Sequence, residues 1–262
     1  MAIVSHKVQT TRHRIRAFLN GDQYQIIFSD TPGIITPEYK LHEKMMRAVK
    51  FSLEDADVAI LLVDIKDEWQ RADDVFGALK LKIPSILVLN KTDRSNDQDV
   101  QRAKSFFEEK GKYSAVMPIS AMQRKNVDGL VNEIVKLLPE GEPFFDTGEL
   151  TDMSTRFFVG ELVREKIYEL YSEEIPYHTA VMVNEFKEKQ TLIKIAADII
   201  VQRESQKAII LGDQGKMIKK LGTESRLSIE AFLGSKVFLE LFVKVRPKWR
   251  DNESQLKEYG YN

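Results

Sequence analysis

Three short segments carry residue types whose order and spacing suit nucleotide chemistry. Asp30-Thr31-Pro32-Gly33 directly follows an extended run, Tyr24–Ser29. A carboxylate at such a strand end can hold Mg²⁺ through water, and Gly33 lets its backbone N–H approach a terminal phosphate. Asn90-Lys91-Thr92-Asp93 ends the apolar run Ser85–Leu89, the end of a strand where open α/β sheets take ligands. Asp93 can accept two hydrogen bonds from the N1–H and exocyclic amine of guanine; adenine offers no such pair. Asn90 can brace that loop, and the stem of Lys91 can lie along the ring. Ser120-Ala121, after Ala115–Ile119, would set a backbone N–H against the guanine carbonyl. Each segment alone is also an ordinary turn. Their succession at three strand ends, beginning at 30, 90 and 120, is the informative feature. Upstream, the hydroxyl of Thr10 or Thr11 in Gln9-Thr10-Thr11-Arg12-His13-Arg14 could ligate Mg²⁺ when a γ-phosphate is present. His6 and His13 have no third partner in view and read as surface or packing residues.

The elements that must position these residues follow from periodicity. Alternating apolar residues and a turn at Asn20-Gly21 predict a β-hairpin over 13–29. Continuous apolar runs at 58–63 and 85–89 suit strands buried on both faces of a parallel sheet. Helical patterns lie near 69–82, 97–110 and 126–138, with a short strand at 115–119. Strand–helix alternation of this kind implies a doubly wound α/β sheet. Pro139-Glu140-Gly141-Glu142-Pro143 is the expected linker, which divides the chain into domains 1–142 and 143–262. Beyond it come a helix near 155–173, alternating runs at 178–186 and 191–202, an apolar stretch at 206–211, a helix near 215–233 and a strand at 236–246. That order predicts an α+β domain with a small, mostly antiparallel sheet. The stretch at 206–211 fits a strand or a helix equally well.

Gly212-Asp213-Gln214-Gly215 is a G-x-x-G loop opening a helix, with Lys216, Lys219 and Lys220 close behind. Two glycines let a nucleic-acid backbone approach the main chain, and a helix N-terminus favours phosphate. Charge agrees: residues 205–250 hold ten Lys/Arg against four Asp/Glu, although the whole chain is at −1. Ile218, Leu221, Leu227, Ile229 and Phe232 read as helix core rather than as stacking groups for bases. The absence of cysteine excludes disulfides, zinc ribbons and thiol catalysis and suits a reducing compartment.

Gln9–Arg14, Asp30–Ile34, Asn90–Asp93 and Ser120-Ala121 together resemble the switch and guanine-specificity motifs of the bacterial Era GTPases, over essentially the whole chain. The resemblance implies a P-loop-NTPase-type G domain followed by a type II KH domain of order α-β-β-α-α-β, in which 206–211 is a helix. It implies GTP/GDP and Mg²⁺ as ligands. Thr10, Thr11, Asp30, Thr31, Pro32, Gly33, Ile34, Asn90, Lys91, Thr92, Asp93, Ser120 and Ala121 would line the nucleotide, with Asp30 and Thr11 at the metal. Gly212, Asp213, Gln214, Gly215, Lys216, Lys219 and Lys220 would meet RNA. It further implies a monomer whose partners are the 3′ end of 16S rRNA and the small (30S) ribosomal subunit. Such a protein acts in ribosome assembly in the cytoplasm, with a peripheral fraction on the inner face of the membrane. Ile34 stands where Ras-like enzymes keep a catalytic Gln, so no catalytic side chain is assigned and slow intrinsic hydrolysis is expected. The family's P-loop, G-x-x-x-x-G-K-S/T, is not found in the 262 residues. Met1 is therefore expected to stand inside a longer reading frame, and the G domain to lack its first strand. The alternative is a nucleotide-independent RNA-binding assembly factor with a structural G-domain remnant.

Overall fold

Residues 3–5 and 7–261 are described by a computed structural model. Packing divides the chain into two units, Met1–Phe18 with Ile27–Val49 and Gly148–Asn262, and Leu19–Ile26 with Lys50–Thr147. The hairpin expected over 13–29 is present as β1 (Ile15–Gly21) and β2 (Tyr24–Asp30). Its paired ends belong to the first unit and its tip to the second.

The second unit is built on a parallel sheet of order β3-β4-β5, with β3 at Ala59–Asp64, β4 at Ser85–Asn90 and β5 at Ala115–Pro118. Central β4 is buried from Ser85 to Leu89, as its unbroken apolar run requires. Helices α2 (Trp69–Gly77), α3 (Asp97–Glu108) and α4 (Val127–Leu137) alternate with the strands. Val63, Leu87, Leu89 and Val116 form a core with Ala103 and Phe107 of α3. Asn96 caps α3, its side chain accepting from the Asp99 N–H at 2.8 Å. Register puts Asp64 beside Asn90 and Leu89 beside Pro118, so the carboxyl ends of all three strands come level.

The first unit holds the elements after residue 148. They are α5 (Thr155–Leu170), β6 (Ala180–Glu188), β7 (Ile193–Val201), α6 (Glu204–Leu211), α7 (Lys216–Leu233), β8 (Val237–Val245) and the short α8 (Glu253–Glu258). This is the α-β-β-α-α-β order, and 204–211 is helical. The sheet, β6-β7-β8, differs from the mostly antiparallel one expected: β6 pairs antiparallel with β7, but β7 pairs parallel with β8. The α6–α7 connection carries the chain back across the sheet, so β8 must run the same way as β7. Val159, Val163 and Ile167 of α5 pack with Ile195, Ile199, Ile210, Leu221 and Ile229. Leu227 departs from the core reading at 54% exposed, on the side of α7 away from Leu221 and Ile229; Phe232 shares their face but is 47% exposed at the end of the helix, its ring 5.8 Å from that of Phe158. Helix α1 (Lys40–Glu54) also belongs here in part: Leu41 and Met45 pack with Ala180, Ile200, Trp249 and Leu256.

Candidate nucleotide and RNA sites

At the carboxyl ends of β4 and β5, the residues expected to read a base form one hydrogen-bonded cluster. Asn90 Oδ1 accepts from the Lys91 N–H at 2.7 Å and from the Ala121 N–H at 3.0 Å, which ties the two loops together. Thr92 Oγ1 donates to the Ile119 carbonyl at 2.9 Å. Fully buried Ser120 donates through Oγ to Asp93 Oδ1 and accepts from the Gln123 N–H at 3.2 Å. Asp93 is thereby held in a fixed orientation. Lys91 adopts φ +61° at the sharp exit from β4, and its Nζ pairs with Asp64 at 2.8 Å. Desolvation would raise the Asp64 carboxyl, but Lys91, the Lys66 N–H and Arg94 outweigh it and hold the group below the usual range. Asp64 escaped the sequence reading. Its signal is register, since it ends β3 directly beside Asn90.

The expected metal ligands also meet. Thr11 Oγ1 donates to Asp30 Oδ2 at 3.1 Å. Thr10 is engaged elsewhere, donating to the Lys7 carbonyl at 2.7 Å, so of the two threonines Thr11 accompanies Asp30. Burial lifts the Asp30 carboxyl above its ordinary value, partly opposed by the hydrogen bonds from Thr11 and Thr31. Two adjacent hard oxygens suit Mg²⁺. Pro32 is buried, while Gly33 and Ile34 are exposed. A Cβ on Gly33 would meet no protein atom within 4 Å. His13 is a packing residue, stacked on Tyr261 with ring centroids 4.4 Å apart. His6 lies outside the described residues.

The G-x-x-G loop is strained in the way glycine permits. Gly212 has φ +69° and ψ 179°, Gln214 φ +50° and Gly215 φ +76°. A Cβ on Gly212 would fall 2.6 Å from the Met217 side chain. Lys216 begins α7 and pairs with Asp213 at 2.9 Å, both well exposed. Lys219 and Lys220 follow on the exposed side of the helix. Asp213 thus occupies a cation that a phosphate would otherwise meet.

Sequence reasoning missed Arg12, which sits inside the most specific motif yet is 2% exposed. It also missed the polar groups around Arg12 from α5 and the 176–179 segment.

Family models match residues 1–91 as a 50S ribosome-binding GTPase and residues 174–250 as a KH domain. The GTPase Era of Clostridium perfringens (strain 13 / Type A) is 42% identical over 264 residues, covering 100% of this chain and 89% of its own length. That of Xanthomonas oryzae pv. oryzae (strain MAFF 311018) is 40% identical over 265 residues, covering 100% and 88%. A crystal structure of Era in complex with MgGDPNP and nucleotides 1506–1542 of 16S ribosomal RNA superposes with a TM-score of 0.95 at 38% identity, over 99% of this chain and 90% of that one. An Aquifex aeolicus Era variant bound to GDP·AlF₄⁻ gives the same TM-score, identity and coverage. With both family models matched and such identity over the full chain, this protein belongs to the Era family of GTPases.

Proposed function

We propose that this chain is a guanine-nucleotide-responsive RNA-binding protein acting in the cytoplasm on the small ribosomal subunit, with the 3′ end of 16S rRNA as its target. The observation that carries the nucleotide half is the Asn90–Asp93–Ser120–Ala121 cluster. A carboxylate oriented by Ser120 accepts from N1–H and the amine of guanine, and the Ala121 loop braced by Asn90 lies beside it. Thr11 and Asp30 would hold Mg²⁺, which when bound neutralises phosphate charge. The Gly33 N–H would meet a terminal phosphate. Ile34, 41% exposed, has no group to orient a water, which supports slow hydrolysis.

The RNA half is supported by the positive-φ loop Gly212–Gly215 opening α7, with Lys216, Lys219 and Lys220 around it. KH clefts take about four single-stranded nucleotides. The solved relative was crystallised with 16S rRNA nucleotides 1506–1542, which makes that strand the natural probe.

The test is a titration with guanosine and xanthosine nucleotides plus Mg²⁺. Asp93→Asn replaces an acceptor by a donor. It should weaken guanosine binding by at least tenfold and improve xanthosine binding relative to it, since xanthine presents a carbonyl where guanine has its amine. Unchanged preference would rule out Asp93 as the base reader. The competing reading is nucleotide-independent RNA binding by a chain whose G-domain remnant is structural only. It predicts tight RNA binding with no nucleotide binding in the same titration.

A further inference from the structure

Two strand ends flank the end of β4, and each holds one residue of the loop that leaves it. On the β5 side, Ser120 fixes Asp93, the reader of the base edge. On the β3 side the last residue is Asp64, in register with Asn90, and its Oδ2 receives the Lys91 ammonium at 2.8 Å. Asp64 lies outside the Asn90–Asp93 segment, so its partnership with Lys91 is a property of the fold rather than of the motif.

Both ends of the Lys91 side chain are therefore fixed. At the backbone end, φ +61° and ψ 36° put Lys91 in the left-handed region, which a residue other than glycine occupies where its surroundings impose it. Here the Lys91 N–H donates to Asn90 Oδ1 at 2.7 Å, and the Arg94 N–H closes the turn on the Lys91 carbonyl at 2.9 Å. At the ammonium end, Asp64 is itself held. Its Oδ1 accepts from the Lys66 N–H at 3.0 Å, and its own N–H donates to Asp67 Oδ2 at 3.1 Å. The side chain of Asp64 is 18% exposed and that of Lys91 49%. Between the two fixed ends, the four-carbon stem of Lys91 bridges strands that lie about 4.8 Å apart. An ion pair this exposed adds little stability. Its other effect is order: a lysine stem has much rotamer freedom, and a stem already pinned spares a ligand the entropy of ordering it.

We propose that Asp64 is a positioning residue for the nucleotide base, holding the Lys91 ammonium so that the Lys91 stem stands ready against the face of the purine ring. The proposal rests on the nucleotide-binding reading above. It gives Asp93 and Lys91 separate tasks. Asp93 meets the base edge and decides which purine is accepted. The Asp64–Lys91 pair acts on the ring face, which purines share, and so sets affinity without selecting among them.

The experiment is a titration of the full chain with guanosine diphosphate and inosine diphosphate plus Mg²⁺, for the unmodified protein, Asp64→Asn, Lys91→Met and the double variant. Asp64→Asn keeps the Oδ1 acceptor for the Lys66 N–H and removes the charge. It should weaken both nucleotides by the same factor, about three- to tenfold, the effect of ordering one rotamer-rich side chain, while the urea midpoint stays nearly unchanged. Lys91→Met keeps an apolar chain and removes the ammonium. It should weaken binding by a similar factor, and adding Asp64→Asn to it should change affinity no further. A second measurement needs no nucleotide: acylation of the free protein by a water-soluble succinimidyl ester, mapped by mass spectrometry. Relative to the other lysines, Lys91 should react severalfold faster in Asp64→Asn. Unchanged affinity in Asp64→Asn, a full further loss in the double variant, or an unchanged acylation rate overturns the proposal and leaves the base site intact. Should Asp64→Asn fail to fold, Lys91→Met decides alone, and unchanged guanosine affinity overturns the proposal. No guanosine binding by the unmodified protein overturns the nucleotide reading itself, and the proposal with it.

Discussion

Asp93 and Asp213 show how differently two carboxylates can be read from a sequence. Asp93 was legible because guanine recognition demands a carboxylate at a strand end, and three such segments occur in order. Its bracing by Ser120 was legible only as a motif position. Asp213 was legible only as a member of the G-x-x-G loop, and its pairing with Lys216 is what gives its charge a consequence. Asp213→Ala frees Lys216 and removes a negative charge from the path of the phosphates. RNA affinity should rise about two- to fivefold at low salt, and the gain should shrink as salt is raised. A fluorescence-anisotropy titration at two salt concentrations checks both parts, and weaker binding would place the RNA backbone elsewhere. Arg12 was not legible as a buried residue. A basic residue between Thr11 and His13 in a loop reads as solvated, and only packing against α5 and residues 176–179 takes it out of water.

Elements with a single clear period were read within a few residues of their ends, and the misses have local causes. Helix α1 carries Leu41, Met45 and Val49 four apart, all buried, a helical stripe present in the sequence and overlooked. The mixed sheet could not be read from strand patterns, because β7 and β8 alternate in the same way whichever direction they pair. The helix at 204–211 was undecided by composition, and the two-helix return that it begins decides the direction of β8. The loop between α6 and α7 carries a prediction at this scale. Gly215 lies in the ordinary left-handed region, whereas Gly212 combines φ +69° with ψ 179°, a region almost closed to other residues. Gly215→Ala should cost about 1 kcal/mol, and Gly212→Ala distinctly more because its Cβ would also meet Met217. Urea unfolding midpoints rank the two variants, and equal costs would contradict this loop geometry.

Across the molecule, buried neutral histidines set how stability answers to pH. Burial pushes His13 down to about 4, with Arg164 and Arg12 acting in the same direction and Glu161 opposing. His178 is likewise lowered to about 4, chiefly by burial and then by Arg250, with Glu174 opposing. Its neutral ring is what allows Nδ1 to accept from Gln206. An unfolded histidine titrates near 6.5, so between about pH 6.5 and 4 the unfolded chain binds protons that the folded chain refuses. Stability contributed by these rings is therefore complete above pH 6.5 and falls away as pH drops through that window. Both rings belong to the unit containing α5 to α8, so this unit should lose on the order of 2 kcal/mol per histidine by pH 4, after allowance for partial solvent exposure. Denaturant midpoints at pH 7, 6 and 5 measure the slope. His13→Phe preserves the stack on Tyr261 and removes one titrating ring, so the slope should fall by about half while stability at pH 7 changes little. An unchanged slope in His13→Phe would mean that His13 is solvated and titrates near its ordinary value. The same acidification should charge His178 and withdraw the acceptor that Gln206 uses. Exchange at 204–211 should then rise between pH 6 and 4, beyond the change expected from intrinsic chemistry, before the unit unfolds as a whole.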